Sequence, residues 1–128
     1  MSAEAILVLV VDDEDDFLVT YERLLRRQGY EVITKASRAS ALAWLAGGAH
    51  PSLVIADLRL PDGDGLDVVR AARDVLRPPA VIVVTGFQSE ELRKAALAAG
   101  ATAFFAKPFL ASALLATVRS SLEQPRAC

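Results

Sequence analysis

Carboxylates stand where two apolar segments of the chain end, and a hydroxyl and an ammonium group stand where two others end. Asp12 and Asp13 follow the first aliphatic run, and Asp57 follows a later one. Thr85 and Lys107 close two further apolar runs. If these ends meet, three neighbouring carboxylates repel one another and raise at least one pKa. A hard divalent cation with oxygen ligands removes that penalty, so we expect a site for Mg²⁺, with Mn²⁺ as a possible substitute.

Such a set of groups favours phosphoryl chemistry. A carboxylate beside Mg²⁺ can act as a nucleophile and form an aspartyl phosphate. A threonine hydroxyl and a lysine ammonium can each bind a phosphoryl oxygen and stabilise the transferring group. The residue types alone therefore predict a carboxylate that accepts a phosphoryl group, with a cation and two further groups around it.

Strand and helix patterns alternate five times along the chain, and this order positions the polar groups. Alternation of this kind predicts a parallel sheet with helices on both faces, and sites in such sheets lie at the carboxyl ends of the strands. In the flavodoxin-like order 2-1-3-4-5, the four strands that end in these polar groups are neighbours. The predicted strands are 6–11, 30–34, 52–56, 80–84 and 102–106, and the predicted helices are 15–28, 37–46, 66–76, 89–99 and 110–122.

Composition limits the class of protein. The chain has 128 residues, 53% of them hydrophobic, and a net charge of -2, so we expect one domain over 1–122, a tail over 123–128 and no basic footprint for nucleic acid. The single cysteine, Cys128, permits no internal disulfide and favours a reducing compartment. The apolar run at 5–11 is too short to span a membrane, and acids flank it. We expect a cytoplasmic protein without a membrane segment.

The constellation resembles the receiver domain of bacterial two-component response regulators, from residue 5 to about residue 122. The matching segments are "ILVLVVDDEDD", "VIADLRLPDGDG", "VIVVTG" and "FFAKPF", each at the family's position in the strand order. One such motif alone is weak, but four in order at strand ends are specific.

The resemblance implies a role for each polar strand end. Asp57 is expected to be the phosphoacceptor, and Asp12 and Asp13 to hold Mg²⁺ with it. The backbone carbonyl of Arg59 is expected to be a further metal ligand. Thr85 and Lys107 would contact the phosphoryl group, so that the chain catalyses only its own phosphorylation and dephosphorylation and is not an enzyme with turnover.

The resemblance also implies a switch. Thr85 would move towards the phosphoryl group and Phe104 would turn inward, changing the surface formed by the fourth helix, fifth strand and fifth helix. The Lys107–Pro108 bond is expected to be cis. Two residues that the family does not fix, Arg59 and Phe87, are predicted to flank the path of the hydrolytic water and to prolong the phosphorylated state.

The partners implied are a sensor histidine kinase or phosphotransfer protein, an output domain or target protein, and a second copy through the switch surface. Neither direct nucleic-acid binding nor membrane binding by this domain is expected. The sequence does not identify the cognate kinase or the output.

Three other functions use similar residues. An aspartate-nucleophile phosphatase of the haloacid-dehalogenase class would carry a D-x-D-x-T/V pattern after the first strand, which residues 13–17 do not supply. A nucleotide-binding module would need a glycine-rich phosphate loop, and the chain has neither G-x-G-x-x-G nor a Walker A motif. A degenerate receiver that acts only as an interaction surface would have lost a key residue, yet all five are present.

Overall fold

Short aliphatic runs form a central parallel sheet. The structure is a computed structural model that describes residues 6–87 and 89–123. Its five sheet strands and one small hairpin are β1 (Leu7–Val11), β2 (Glu31–Lys35), β3 (Leu53–Ala56), β4 (Arg59–Leu60), β5 (Gly63–Asp64), β6 (Ala80–Thr85) and β7 (Ala103–Ala106). The sheet order is β2-β1-β3-β6-β7, and every pair in it is parallel. The predicted order 2-1-3-4-5 is confirmed, with β6 and β7 as its fourth and fifth strands.

Five helices connect the strands, and local signals set their ends. They are α1 (Asp15–Arg27), α2 (Arg38–Ala46), α3 (Leu66–Arg73), α4 (Glu90–Ala99) and α5 (Ala111–Glu123). The hydroxyl of Ser89 caps α4 by accepting from the N–H of Leu92 at 3.0 Å. Gly100 ends the same helix at φ +115°, a left-handed conformation that glycine adopts without strain.

The helices pack in two layers on opposite faces of the sheet. α1 and α5 cover one face, where Tyr21 and Leu114 meet strand residues such as Val10 and Ile55. α2, α3 and α4 cover the other face, where Val68 and Ala96 meet residues of the opposite parity, including Val11, Ala56 and Val83. Because side chains alternate along a strand, each strand contributes to both cores. This double burial explains why the strands read as continuous aliphatic runs.

Two differences from the predicted elements lie in the connections. Residues 59–64, which lie between the predicted third strand and third helix, form the antiparallel hairpin β4–β5, in which Arg59 pairs with Asp64. The helix predicted to run to residue 76 ends at Arg73. There the guanidinium of Arg73 donates to the carbonyl of Pro79 at 3.0 Å, and the chain bends back towards β6. The predicted tail begins at Glu123, the last residue of α5, and its remainder, 124–128, lies outside the described residues.

Candidate functional site

The ammonium group of Lys107 lies among three carboxylates at the carboxyl end of the sheet. Its Nζ atom is 2.8 Å from Asp12 Oδ2, 2.9 Å from Asp57 Oδ2 and 2.9 Å from Glu14 Oε1. The contacts to Asp57 and Glu14 are hydrogen bonds. Within the described residues Asp12 Oδ2 has no hydrogen-bond partner, so its contact with Lys107 is an ion pair. The structure thus brings together the ends of β1, β3 and β7, as the sequence predicts.

The chain itself fixes the polar side chains at three strand ends. In each case, the side chain accepts a hydrogen bond from the N–H two residues later, an arrangement that short polar side chains favour at turns. The donors and acceptors are Glu14 N to Asp12 Oδ1 at 2.9 Å, Arg59 N to Asp57 Oδ1 at 3.1 Å, and Phe87 N to Thr85 Oγ1 at 3.3 Å. The second oxygen of each carboxylate is thereby left to face Lys107.

The pKa values of Asp12 and Lys107 are both raised, but for different reasons. Burial raises the pKa of Asp12 above its ordinary value, although Lys107 and the N–H of Glu14 act in the opposite direction. Burial alone would lower the pKa of Lys107, but the carboxylates of Asp12, Asp57 and Glu14 outweigh it and raise that pKa. Lys107 is therefore a permanent cation, and the buried charge of Asp12 is incompletely compensated.

The acidic side chains fit a hard cation. One carboxylate oxygen from each of Asp12, Asp13, Glu14 and Asp57 lies within 4.8 Å of the others. All the candidate ligand atoms are oxygens, and Asp12 Oδ2 is a buried acceptor that receives no hydrogen bond from the described residues. Asp13 and Glu14 are exposed, which leaves room for the waters that Mg²⁺ retains. These oxygen ligands, partly open to solvent, therefore suit Mg²⁺ better than a structural metal ion whose ligands all come from the protein.

Gly65 allows the loop after Asp57 to fold tightly beneath the site. A Cβ atom at this position would lie 2.0 Å from the backbone carbonyl oxygen of Asp57 and 2.7 Å from Leu58 Cα. The N–H of Gly65 donates to the carbonyl of Leu58 at 2.8 Å and closes the loop. Asp64, in the same loop, accepts with its Oδ1 from the N–H of Leu66 at 2.9 Å.

Asp62 makes a longer-range contact than a turn former needs. Its two carboxylate oxygens accept from the N–H groups of Arg38 and Ala39 at 2.7 and 2.8 Å. These bonds lower the pKa of Asp62 and tie the hairpin to the N-terminus of α2. The guanidinium of Arg38 pairs with Asp67 at 2.7 Å beside the same junction. The loop that carries Arg59 is thus anchored at its tip.

The two predicted switch residues face the layer opposite to Lys107. Thr85 is buried at the end of β6. It lies two residues after Val83 and so faces the same side of the sheet, where Val83 packs in the core formed with α2, α3 and α4. Phe104 packs against the same layer and lines a groove with Ser89 and Arg93 of α4. Phe105 packs in the other layer, because side chains alternate along the strand. The Lys107–Pro108 peptide bond is cis.

Arg59 and Phe87 form a stacked pair at the rim. The guanidinium carbon of Arg59 is 3.7 Å from the centre of the Phe87 ring, within cation–π distance. Phe87 is 46% exposed, so the stack stands at the surface. Both residues line a groove of about 710 Å³ that extends to Leu92 and Ala95 of α4.

Sequence reasoning misses three residues near Lys107. Glu14 reads as part of an acidic helix start, yet its carboxylate contacts the ammonium group. Phe17 reads only as part of the apolar face of the first helix, yet its ring centre is 4.2 Å from Lys107 Nζ. Tyr21 is 1% exposed and its hydroxyl has no hydrogen-bond partner among the described residues. Burial and the charges of Asp12, Asp57 and Glu14 raise its pKa, so the hydroxyl stays protonated.

Sequence comparisons identify relatives over nearly the whole chain. The family described as "Response regulator receiver domain" matches residues 8–119. The transcriptional regulatory protein PrrA of Mycobacterium bovis is 38% identical over 117 residues, which are 91% of this chain and 50% of PrrA. The chain therefore spans about half the length of that relative.

In residues 6–87 and 89–123, none of the helices is both long and apolar enough to cross a bilayer.

Solved structures share the fold. A CheY-like response regulator receiver domain protein from Methanospirillum hungatei superimposes with a TM-score of 0.87 at 32% identity, covering 94% of this chain and 95% of that one. A response regulator from Burkholderia pseudomallei with a phosphorylated aspartic acid, calcium ion and citrate superimposes with a TM-score of 0.80 at 28% identity, covering 94% and 75%.

Proposed function

This chain belongs to the response regulator receiver domain family, and we propose that Asp57 accepts a phosphoryl group from a sensor histidine kinase or a phosphotransfer protein. The observation that carries the proposal is the contact between Asp57 Oδ2 and Lys107 Nζ at 2.9 Å, inside a cluster of acidic oxygens. A nucleophile, a cation and candidate metal ligands thus occupy one strand-end site. The similar response regulator from Burkholderia pseudomallei carries a phosphorylated aspartic acid, which supports the same chemistry.

The proposed transfer is a displacement at phosphorus. A carboxylate oxygen of Asp57 forms a bond to phosphorus, and the bond from phosphorus to the donor's imidazole nitrogen breaks with its electron pair going to that nitrogen. The hydrogen bond from Arg59 N orients the carboxylate before attack. Lys107 would transfer its contact from Asp57 to a phosphoryl oxygen and offset the developing charge there.

Asp12, Asp13 and Asp57, with the backbone carbonyl of Arg59, would hold Mg²⁺, or Mn²⁺ in its place. The acidic cluster supports this assignment, and the exposed Glu14 belongs to the same cluster. When bound, the cation would neutralise repelling carboxylates and polarise the phosphoryl oxygens. The chain would act once on itself in each cycle and not turn over a separate substrate.

The signal would pass through the sheet to α4, β7 and α5. Among the described residues, the hydroxyl of Thr85 accepts one long bond, from Phe87 N at 3.3 Å, and its own proton can be donated to a phosphoryl oxygen, a charged acceptor that would draw it towards Asp57. Its movement would free space for Phe104 to turn inward from the groove beside α4. A pre-existing equilibrium between two arrangements would be biased by the new charge at the rim.

The partners proposed are those of a two-component pathway. The relative PrrA is named a transcriptional regulator and is about twice as long as the match, so an output domain or a separate target is the expected reader of the switch. The surface of α4, β7 and α5 is also the proposed dimer interface. We place the transfer in the cytoplasm, a reducing compartment that suits a chain with a single cysteine. The receiver unit is proposed to be 1–122, with 123–128 as its tail.

Phosphorylation with a small donor tests the proposal. With Mg²⁺ and acetyl phosphate, intact-mass spectrometry should show the addition of one phosphoryl group. Asp57→Asn should abolish the addition, whereas Asp74→Asn, which removes an equal charge at the exposed end of α3, should not. A parental protein that stays unmodified, or label that persists in Asp57→Asn, would contradict the assignment.

A further inference from the structure

The ring of Phe17 covers one side of the Lys107 ammonium group. The ring centre is 4.2 Å from Nζ, a distance at which the negative face of an aromatic ring attracts a cation. The side chain of Lys107 is 6% exposed, so little water competes for this contact. Phe17 lies in the first turns of α1, near Glu14, and joins that helix to the end of β7.

Two further rings hold Phe17 in place. Phe109, two residues after Lys107, has its ring centre 5.9 Å from that of Phe17. Tyr21, one turn further along α1, stacks on Phe109 at 5.4 Å and lies 6.3 Å from Phe17. These tilted and stacked arrangements are those that aromatic pairs prefer. The ring under Lys107 is therefore part of a packed cluster and not a freely rotating surface group.

The contact with the ring differs in kind from the contacts with the carboxylates. The carboxylates of Asp57 and Asp12 are the proposed partners of the phosphoryl group and of a cation, so they become weaker partners for Lys107 during the reaction. The ring binds neither of these and keeps its attraction throughout. It also has no lone pair that fixes the ammonium at one point. Lys107 can therefore move from a carboxylate oxygen to a phosphoryl oxygen while it stays over the ring.

We infer that Phe17 is a positioning residue that keeps the Lys107 ammonium at the rim while its partner changes from Asp57 to the phosphoryl group. The inference rests on the proposed function for its catalytic part. Its structural part, the placement of Lys107 over the ring, stands apart from phosphorylation. The two parts can be measured separately.

The side-chain resonances of Lys107 report its placement directly. The chain contains three lysines, Lys35, Lys94 and Lys107, so ¹³C-lysine labelling gives three ε-methylene signals that are easily assigned. The ring current of Phe17 should move the Lys107 signal upfield in the parental protein, with and without Mg²⁺. Phe17→Leu should abolish that shift, and Phe17→Tyr, which keeps the aromatic face, should retain it. Phe105→Leu serves as the control, because it removes a ring from the same layer but not the ring over Lys107.

The phosphorylation kinetics test the consequence. Phe17→Leu should lower the maximal rate of phosphorylation by acetyl phosphate about threefold to tenfold. The donor concentration at half-maximal rate should change little, since the ring does not touch the donor. Phe17→Tyr and Phe105→Leu should react at nearly the parental rate. If Phe17→Leu does not fold, Phe17→Met replaces it as an apolar side chain of similar length.

Distinct results would refute the inference and the proposed function. If Phe17→Leu keeps both the Lys107 shift and the parental rate, the inference is wrong while the proposed function stands. If the shift is lost but the rate is unchanged, the ring places Lys107 without serving the transfer, and the inference again fails. If the parental protein takes up no phosphoryl group, the proposed function itself fails.

Discussion

Arg59 and Phe87 are in direct contact, with 3.7 Å between the guanidinium carbon and the centre of the ring. Each follows a proposed phosphoryl-contacting residue, Asp57 or Thr85, by two positions. The sequence alone predicts that each residue flanks the path of the hydrolytic water, and it does not say whether Arg59 points to solvent. The stack joins them into one surface at the rim, so their effects on a phosphorylated Asp57 are expected to depend on each other.

Removing either member of this stack should shorten the life of the phosphorylated protein. Neither side chain can act as a general base, so together they are expected to exclude water without activating it. Arg59→Asn and Phe87→Ala should each speed decay severalfold after donor removal. The two effects should not multiply, because each single variant already loses the same exposed contact. The decay rate of the double variant should therefore be about two- to fivefold below the rate obtained by multiplying the two single increases.

The control for this experiment is Arg70→Asn, which removes an exposed arginine from α3. It should decay at the parental rate. Decay that is no faster in Arg59→Asn and Phe87→Ala than in the parent would show that another feature sets the lifetime.

Replacing Asp12 with asparagine should stabilise the metal-free protein and weaken Mg²⁺ binding. Burial raises the pKa of Asp12, so the group favours folding while protonated, and that contribution is lost as the pH rises through its folded pKa. At pH 7 the buried charge therefore opposes folding. In chelator, Asp12→Asn should unfold a few degrees above the parent, and the difference should shrink in acid. A lower thermal midpoint at neutral pH would contradict this.

The bonds from Asp62 to α2 should contribute stability only when the carboxylate is charged. Its pKa is lowered by the N–H groups of Ala39 and Arg38, so its contribution is present above the ordinary pKa of 3.8 and is lost as the pH falls through the lower folded value. Asp62→Ala should lower the thermal midpoint by a few degrees at pH 7 and make no difference in strong acid. Asp74→Ala is the control for the loss of one negative charge. An equal fall in the thermal midpoint of both variants would argue that the hydrogen bonds of Asp62 to α2 do not stabilise the protein.

Gly65→Ala should be among the most damaging small substitutions in the chain. The added methyl group would meet the backbone of Asp57 and Leu58, which cannot yield as a flexible side chain could. We expect a loss of roughly 2 kcal/mol or more in the free energy of unfolding, and slower phosphorylation of Asp57. Gly47→Ala is the matched control, because its new contacts are 3.5 Å or longer. Equal stability of the two variants in urea would refute the close approach.

Thr85→Ala should separate phosphorylation from signalling. The variant should still accept a phosphoryl group on Asp57, although more slowly, because Lys107 and the acidic cluster remain. The amide shift changes in α4, β7 and α5 that accompany phosphorylation of the parent should be largely lost. Asp57→Asn, treated identically, gives the baseline. Changes of parental size in Thr85→Ala, or parental changes confined to α1, would refute the proposed route.

The fold was predictable because it depends on patterns that are local in sequence. Each signal indicates one element without reference to its neighbours. Aliphatic runs indicate strands buried on both faces, acids indicate the start of α1, and a glycine indicates the end of α4. The hairpin of Arg59 and Asp64 was not predictable, because two short strands in a turn leave no periodic pattern. The early end of α3 depends on the contact of Arg73 with Pro79, which is a tertiary effect.

The site was predictable where the backbone alone places a residue. Asp12, Asp57 and Lys107 end adjacent strands, so the strand order is enough to bring them together. The contacts of Glu14 and Phe17 with Lys107 depend on which way long side chains turn in the packed molecule. Their spacing along α1 is also that of ordinary helix residues. For the same reason, no sequence pattern indicates that the hydroxyl of Tyr21 is buried without a partner among the described residues.

The alternation of side chains along the strands has an evolutionary consequence. Asp57 and Lys107 belong to the register that faces α1 and α5, whereas Thr85 and Phe104 belong to the register that faces α2, α3 and α4. Helical surfaces on the two sides are separated by the thickness of the sheet. Mutations in α1 therefore leave the packing of α2, α3 and α4 on the other side almost untouched. Duplicated copies of such a chain can therefore diverge on one face of the sheet without loss of packing on the other, provided that the few residues at the shared rim are kept.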